Sequence, residues 1–177
     1  MQALELAVLD WIQANCRGAL LDVAMPAVSW ICNHGEVWIL LAAALLLTRR
    51  YRMAGWSVAV ALALDLICCN LILKPLVGRS RPFAVNLVPL LVSPPLDASF
   101  PSGHTASSFA ATAALWASGH RKMGAAALLL SVVMAFSRLY LYVHWPSDVL
   151  AGALLGAVLG WAGSRLTALA ATRLEKK

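Results

Sequence analysis

The sequence predicts an all-α, polytopic membrane protein: a bundle of six transmembrane helices preceded by an interfacial amphipathic helix. Hydrophobic residues make up 61% of its 177 residues and charged residues only 12%, whereas soluble domains carry roughly 25% charge. The mean hydropathy is +0.77. The apolar residues are gathered into separate runs, and a helix needs about 20 residues to cross a bilayer. We therefore expect one multi-span domain over residues 1–177.

The N-terminal stretch 3–15 predicts a helix that lies in the membrane interface and does not cross it. Helical spacing separates an apolar face from a polar one, which are formed respectively by Leu4, Ala7, Val8, Trp11 and Ile12, and by Glu5, Asp10 and Gln13. Because Glu5 and Asp10 interrupt the first apolar stretch and no basic segment precedes it, we expect no cleavable signal peptide.

Six apolar runs follow, and each is expected to span the membrane. They are residues 19–32, 37–48, 54–73, 105–118, 123–143 and 149–169. The first run is the weakest candidate, because Asp22 and Pro26 interrupt it. The last run has small residues at four-residue spacing, Gly152, Gly156 and Gly160, which let helices approach closely. We expect this helix to be central to the bundle.

Basic residues predict the orientation of these spans. With six spans, the basic clusters at 49–52, 121–122 and 173–177 fall on one side. The positive-inside rule makes that side cytoplasmic, together with both termini. The net charge of +6 then indicates topology and not nucleic-acid binding. The four cysteines have no disulfide or zinc spacing and are expected to be packing residues, namely Cys16, Cys32, Cys68 and Cys69.

The three remaining polar segments, at 33–36, 74–101 and 144–148, converge on the predicted outer face. In the second of them Lys74, Arg79 and Arg81 run against the positive-inside rule. The point charge of lysine and the planar fork of arginine together suit a phosphate. The alternative is a basic fringe at the end of the third span, whose cations only reach toward water.

The stretch 100–105 predicts an anion site at the start of the fourth span. Ser102 is a good N-cap, and Gly103 allows close backbone approach to a ligand. The free amides of a helix N-terminus favour an anion. His104 follows in the first turn, where an imidazole could give its proton to a leaving group. An ordinary capped helix with a surface histidine is the alternative.

The stretch 137–148, between the last two spans, combines a cation, an imidazole and a carboxylate. Arg138 supplies donors for phosphate. Asp148 follows His144 by four residues and could hold one ring nitrogen while the other attacks. Ionisable groups this close to membrane depth indicate a functional site. A polar loop that caps two helices is the alternative.

Together, Lys-x6-Arg-Pro, Pro-Ser-Gly-His and Ser-Arg-x5-His-x3-Asp resemble the signature of the type 2 phosphatidic acid phosphatase (PAP2) superfamily. The positions that match are Lys74, Arg81, Pro82, Pro101 to His104, Ser137, Arg138, His144 and Asp148. The resemblance covers roughly residues 20–170, with the signature in 74–148. Within the superfamily, the compact layout is most similar to bacterial undecaprenyl-diphosphatases.

The resemblance implies a phosphohistidine mechanism without metal or cofactor. It makes His144 the nucleophile, Asp148 the group that orients it, and His104 the general acid. The phosphate-binding residues that it implies are Lys74, Arg81, Ser102, Gly103 and Arg138. The expected protein is thus a lipid phosphatase of a bacterial plasma membrane, with its active site on the extracytoplasmic side.

Undecaprenyl diphosphate is the preferred substrate by resemblance. Phosphatidylglycerophosphate, phosphatidic acid, a lipid A phosphate or a phosphotransferase reaction would use the same residues, and a non-enzymatic anion-binding or transport protein is the remaining class. The expected partners are the bilayer and its lipid phosphate, with no nucleic acid, and the sequence does not indicate an oligomeric state.

Several polar residues have weaker assignments. Arg79 could bind phosphate or only solubilise its loop. Asp65 and Asn70 are expected to pair with polar groups between helices. His34 and Glu36 are expected in a plain interfacial turn, with the entrance of the site as the alternative. The segment 83–96 is too apolar for a solvated loop, and we expect it to lie in the interface and guide a lipid tail.

Overall fold

The computed structural model describes residues 2–33 and 35–174, and these form helices and loops without a β-strand. The helices are α1 (Gln2–Cys16), α2 (Ala19–Ile31), α3 (Glu36–Leu47), α4 (Arg52–Asp65), α5 (Lys74–Val77), α6 (Pro82–Val85), α7 (Gly103–Ala117), α8 (Arg121–Tyr140) and α9 (Pro146–Leu174). A 3-10 turn, Arg49–Tyr51, precedes α4, and a π-helical segment, Leu66–Leu73, joins α4 to α5. The all-α prediction is confirmed.

The predicted count of six spans is not confirmed. By length and composition, three helical stretches of the described residues could cross a membrane: Arg49–Val85, Arg121–Tyr140 and Pro146–Leu174. Helices α2 and α3 make a fourth only if they are taken together as one bent span. These two helices have 13 and 12 residues and α7 has 15, all short of the roughly 20 that a span needs. The six-span count, the orientation and the side of the termini stay predictions.

Helix α9 packs closely against α7 and also contacts α4 and α8, which agrees with the predicted central position. Its glycines make the close approach possible. A Cβ on Gly156 would lie 2.2 Å from the carbonyl oxygen of Ala106, and one on Gly160 would lie 2.3 Å from that of Ala110. Backbone atoms cannot yield as a flexible side chain can, so these positions exclude any larger residue without separating the helices.

Helix α1 contacts the bundle through apolar and polar residues alike. Its buried residues are Leu9 and Ile12, whereas Leu4 and Trp11 are 72% and 61% exposed. Gln13 donates to the Tyr140 carbonyl at 2.8 Å, and Asp10 accepts from the Tyr142 hydroxyl at 2.6 Å. Ile12, predicted on the same apolar face as Leu4 and Trp11, is therefore turned toward the protein, and the interfacial position of α1 stays a prediction.

The segment predicted as an irregular loop, 74–101, is partly helical, because α5 and α6 lie within it. Within the part predicted to guide a lipid tail, 83–96, Leu90 and Leu91 are half-buried and pack against the cluster that contains Ile12 and Tyr140. Leu96, in contrast, is fully exposed. Of this part, only residues 93–96 line the cavity described next, and its role as a lipid guide stays a prediction.

Candidate active site

A cavity of about 1270 Å³ opens where the three predicted outer segments meet. Its wall is formed by residues of the α2–α3 turn, the α4 end, the 93–98 loop, the start of α7 and the end of α8. Among them are six of the predicted site residues: Lys74, Arg81, Gly103, His104, Arg138 and His144. The convergence of three distant segments is therefore confirmed. His34 lies outside the described residues, and Glu36 is an exposed residue at the start of α3.

Unpartnered polar atoms are concentrated around this cavity. Within residues 2–33 and 35–174, four buried side-chain atoms lack a hydrogen-bond partner: Asp65 Oδ1, His104 Nε2, Arg138 Nε and His144 Nδ1. All four residues line the cavity. Buried polar groups are normally satisfied, and each exception calls for an explanation. A polar ligand in the cavity would explain the unpartnered atoms of Asp65, His104 and Arg138, whereas His144 Nδ1 lies 3.6 Å from Asp148 Oδ2.

His144 lies in the short connection between α8 and α9 and is 1% exposed. Its Nε2 is 3.3 Å from Arg81 Nη1, and its Nδ1 is 3.6 Å from Asp148 Oδ2, beyond hydrogen-bond distance. Arginine can only donate, so Nε2 accepts and the proton of the neutral ring is on Nδ1, toward Asp148. Burial, assisted by the charges of Arg138 and Arg81, lowers the pKa of His144 to about 3, so the ring is neutral at pH 7.

Asp148 is fully buried in the first turn of α9 and is held by several donors. Ser99 Oγ and the Trp145 amide donate to Oδ2 at 2.5 and 2.9 Å. Arg79 Nη1 donates to Oδ1 at 2.5 Å. The carboxylate that faces His144 is therefore fixed in place before any ligand binds.

Arg79 neither lines the cavity nor merely solubilises its loop. Its second nitrogen, Nη2, donates to Glu5 Oε2 at 2.6 Å, and its guanidinium lies 5.1 Å from the centre of the Trp145 ring. Glu5 in turn accepts from the amide and hydroxyl of Ser147. Arg79 thus connects the N-terminal helix to the start of α9. The structure gives it this bridging contact instead of either predicted role, phosphate binding or solvation of the loop.

The two predicted phosphate-binding cations of the first motif share one carboxylate. Asp97 accepts from Lys74 Nζ, and from Arg81 Nη2 at 2.7 Å. Arg81 also donates to the Asp97 and Val143 carbonyls at 2.9 and 2.7 Å, which connects the loop to the His144 segment. Partial burial alone would raise the pKa of Asp97, but its bonds to Lys74 and Arg81 lower it to about 2. The protein's own Asp97 carboxylate is therefore paired with both cations.

The second motif is positioned in part as predicted. Helix α7 begins at Gly103, and a Cβ there would lie 3.2 Å from Asn70 Oδ1 and 3.7 Å from Lys74 Nζ. Ser102 precedes the helix, but its hydroxyl bonds the Thr105 hydroxyl at 2.9 Å and caps no backbone amide. Ser102 is also fully buried and outside the cavity wall, so its predicted side-chain contact with phosphate is not supported.

Arg138 ends α8 beside the cavity and is 3% exposed. Its Nη1 donates to the Ser29 hydroxyl of α2, and its Nε has no partner among the described residues.

The turn that carries His144 contains Tyr142, which has a φ of 60°, an uncommon conformation for a bulky residue. Its hydroxyl is held by Asp10 and Asn86, which fixes the turn that carries His144.

Sequence reasoning missed the contacts of three acidic or polar residues around the site and assigned a fourth, Asp65, a pairing that it does not make. Glu5 and Ser99 bind the elements around Asp148, and Asp97 bridges Lys74 and Arg81. Asp65 was expected to pair between helices and does not, because its Oδ1 faces no donor among the residues described. For Asp65, the only signal in the sequence was an acidic residue inside an apolar run, and such a signal does not identify a partner.

A sequence profile described as the PAP2 superfamily matches residues 54–170, which include all three motifs and well over half of the chain. The chain belongs to the PAP2 superfamily. Two solved structures share its fold. LpxE from Aquifex aeolicus superposes with a TM-score of 0.76 at 28% identity, over 90% of this PAP2 chain and 94% of that one. A phosphatidylglycerolphosphate phosphatase from Bacillus subtilis gives 0.75 at 24% identity, over 93% and 85%, which shows the fold alone.

Sequence relatives are also phosphatases. A decaprenylphosphoryl-5-phosphoribose phosphatase from Mycobacterium tuberculosis is 40% identical over 164 residues, 88% of this chain and 86% of the relative. An undecaprenyl-diphosphatase from Sulfolobus acidocaldarius is 34% identical over 122 residues, 68% of this chain and 59% of the relative, so the match spans less than two thirds of that protein. This PAP2 protein is therefore a phosphatase with a membrane-embedded lipid phosphatase fold.

Proposed function

We propose that the chain hydrolyses a lipid phosphate through a phosphohistidine on His144. The observation that carries this proposal is the set of unpartnered polar atoms around one cavity, on two imidazoles and a guanidinium. A neutral imidazole with its Nδ1 proton toward Asp148 has a lone pair on Nε2, and this is the form that can attack phosphorus.

In the proposed reaction His144 Nε2 forms a bond to phosphorus while the bond from phosphorus to the lipid oxygen breaks. Burial and the nearby cations lower the pKa of His104 to about 2, and the negative charge of a bound phosphate would raise it. We propose that His104 takes up a proton when the substrate binds and gives it to that departing oxygen. Water then attacks the phosphohistidine, with His104 taking a proton from it, and inorganic phosphate leaves. Both histidines return to their starting forms, so protons balance over the cycle.

The cations around the cavity would stabilise charge on the phosphoryl oxygens. Lys74, Arg81 and Arg138 come from three different elements and can surround a group placed beside His144. Asp97 now occupies two of them, so we propose that the substrate phosphate takes over its bonds to Lys74 and Arg81. The Gly103 amide at the start of α7 would add a neutral donor.

Two lipid classes are candidate substrates. The first is undecaprenyl diphosphate, the substrate in the name of the Sulfolobus relative. The second is a phosphomonoester on a prenyl-linked sugar, the substrate in the name of the Mycobacterium relative. The second is favoured because that match is longer and has the higher identity. We further propose that hydrolysis takes place at the outer face of a plasma membrane with both termini inside, because the basic clusters flank the opposite helix ends.

Phosphate release from detergent-purified protein tests this proposal. Wild type, His144→Ala and His120→Ala are compared in EDTA on undecaprenyl diphosphate, decaprenylphosphoryl-5-phosphoribose, phosphatidylglycerophosphate and phosphatidic acid. His120 precedes α8 and stacks edge-on against Tyr51, outside the cavity wall, so it is the matched control. We expect release to survive EDTA and the control substitution and to disappear in His144→Ala. Release that persists without His144 would refute the phosphohistidine.

A further inference from the structure

The cavity contains an acidic group that the proposed phosphate chemistry does not use. Asp65 is the last residue of α4, is 3% exposed and lines the cavity, and its Oδ1 has no hydrogen-bond partner among the described residues. Lys74, a cation on the same helical stretch, donates to Asp97. The interhelical partner expected for Asp65 from the sequence is not found within residues 2–33 and 35–174.

A second polar group lies on the same side of the cavity. Asn70 also lines it and belongs to the π-helical segment Leu66–Leu73 that directly follows Asp65. Its Oδ1 is the atom that a Cβ on Gly103 would meet first, so it is close to the start of α7. Segments of π-helix are rare and frequently occur at functional sites. Two residues with side-chain oxygens, five positions apart, therefore line the same cavity.

A buried carboxyl oxygen without a hydrogen-bond partner is unfavourable in either protonation state of Asp65. Three cations of the cavity are already suited to phosphate oxygens. A ligand group that donates a hydrogen bond to Asp65 Oδ1 while the phosphate contacts the cations would satisfy both parts of the cavity. The cavity, at about 1270 Å³, has room for a polar headgroup beside the phosphate.

We propose that Asp65, together with Asn70, accepts hydrogen bonds from hydroxyl groups of the substrate headgroup, so that this enzyme selects lipids whose phosphate is carried on a polyol such as a sugar. The proposal rests on the proposed lipid phosphatase function. A prenyl diphosphate has no hydroxyl beside its phosphates, so it would leave Asp65 unpaired. A phosphorylated pentose offers two such donors on the ring.

The test compares two substrates that differ only in these donors: decaprenylphosphoryl-5-phosphoribose and its analogue without the ribose 2- and 3-hydroxyls. For wild type we expect kcat/KM to be about 10- to 100-fold higher for the hydroxylated lipid, because the analogue leaves buried polar groups of the site without hydrogen bonds. In Asp65→Ala this ratio should fall to near one. Ser57→Ala, a buried polar residue on the same helix outside the cavity, is the control and should keep the wild-type ratio.

Two results would overturn the proposal: a wild-type ratio near one, or a ratio that Asp65→Ala leaves unchanged. The wild-type comparison needs no variant, so it stays decisive even if Asp65→Ala fails to fold. Undecaprenyl diphosphate separates the two levels of inference. Suppose that wild type releases phosphate from undecaprenyl diphosphate, that His144→Ala does not, and that wild type hydrolyses the two ribose lipids with equal kcat/KM. Only the role proposed for Asp65 then fails. If wild type releases phosphate from none of the three lipids, both proposals fail.

Discussion

Replacing Asp97 by asparagine should strengthen phosphate binding. The Asp97 carboxylate accepts from Lys74 and from Arg81, the two cations that the first motif contributes to the cavity. A phosphate that binds there must first displace this carboxylate. Asparagine is nearly the same size and keeps the backbone carbonyl that accepts from Arg81 Nε at 2.9 Å. The substitution therefore removes a competing charge while the loop keeps its main anchor.

The size of the effect follows from the exposure of the pair. The Asp97 side chain is 51% exposed, so its ion pairs are partly screened by solvent. Exposed pairs contribute about 0.2–1 kcal/mol each, and asparagine retains one acceptor. A loss of about 1 kcal/mol of competing interaction corresponds to roughly a fivefold change in affinity. We expect the inhibition constant of inorganic phosphate to fall about fivefold, with KM for a lipid phosphate falling alongside it.

The assay is inhibition of lipid phosphate hydrolysis by inorganic phosphate in detergent, for wild type, Asp97→Asn and Asp22→Asn. Asp22 is a matched control, because it pairs with Arg17 and accepts from Tyr140 at a distance from the cavity. An inhibition constant that rises in Asp97→Asn would refute the reasoning. It would mean that Asp97 orients the cations for phosphate and does not compete with it.

Three further predictions concern the nucleophile, the helix packing and the bridging arginine. Because burial lowers the pKa of His144 to about 3, its ring should stay neutral at pH 5 in NMR spectra of histidine-labelled protein, and a signal that titrates near 6.5 would contradict this. Gly156→Ala should lower the free energy of unfolding in detergent by about 1–3 kcal/mol. Gly18→Ala should change this free energy little, because a Cβ there meets nothing within 4 Å. Equal effects of the two substitutions would contradict the close packing of α9. Arg79→Gln should lower kcat about 10-fold or more with KM nearly constant, because the buried Asp148 carboxylate loses its ion pair. Arg79→Lys should restore part of kcat. A rise in KM alone would instead make Arg79 a phosphate ligand.

Much of the site could be predicted because its chemistry is local in sequence. His144 and Asp148 are four residues apart across the start of α9, and Gly103 and His104 are adjacent at the start of α7, so each pair is set by a short motif. Ser102 shows the limit of such reasoning. Its position before the helix was right, but the direction of its hydroxyl depends on Thr105, a choice between two local hydrogen bonds that the motif does not determine.

The span count and the acidic residues were beyond local reasoning. Hydropathy identifies apolar runs, but α2, α3 and α7 end after 12 to 15 residues, and such lengths do not distinguish a span from a buried or bent helix. Glu5 is more than seventy positions from Arg79, and Asp97 is 23 from Lys74. Pairs at such separations form only after the helices have packed.

The sequence by itself determined the class of protein and predicted the reactive groups: an apolar helical chain with two histidines and three cations in motifs of the PAP2 superfamily. These follow from composition and from spacing within one turn or one loop. The tertiary structure alone decided which groups share the cavity, that Asp97 occupies Lys74 and Arg81, and that Asp65 faces the cavity without a donor. The physical reason is that hydropathy and helical period act over a few residues, whereas burial and charge pairing depend on which distant segments meet.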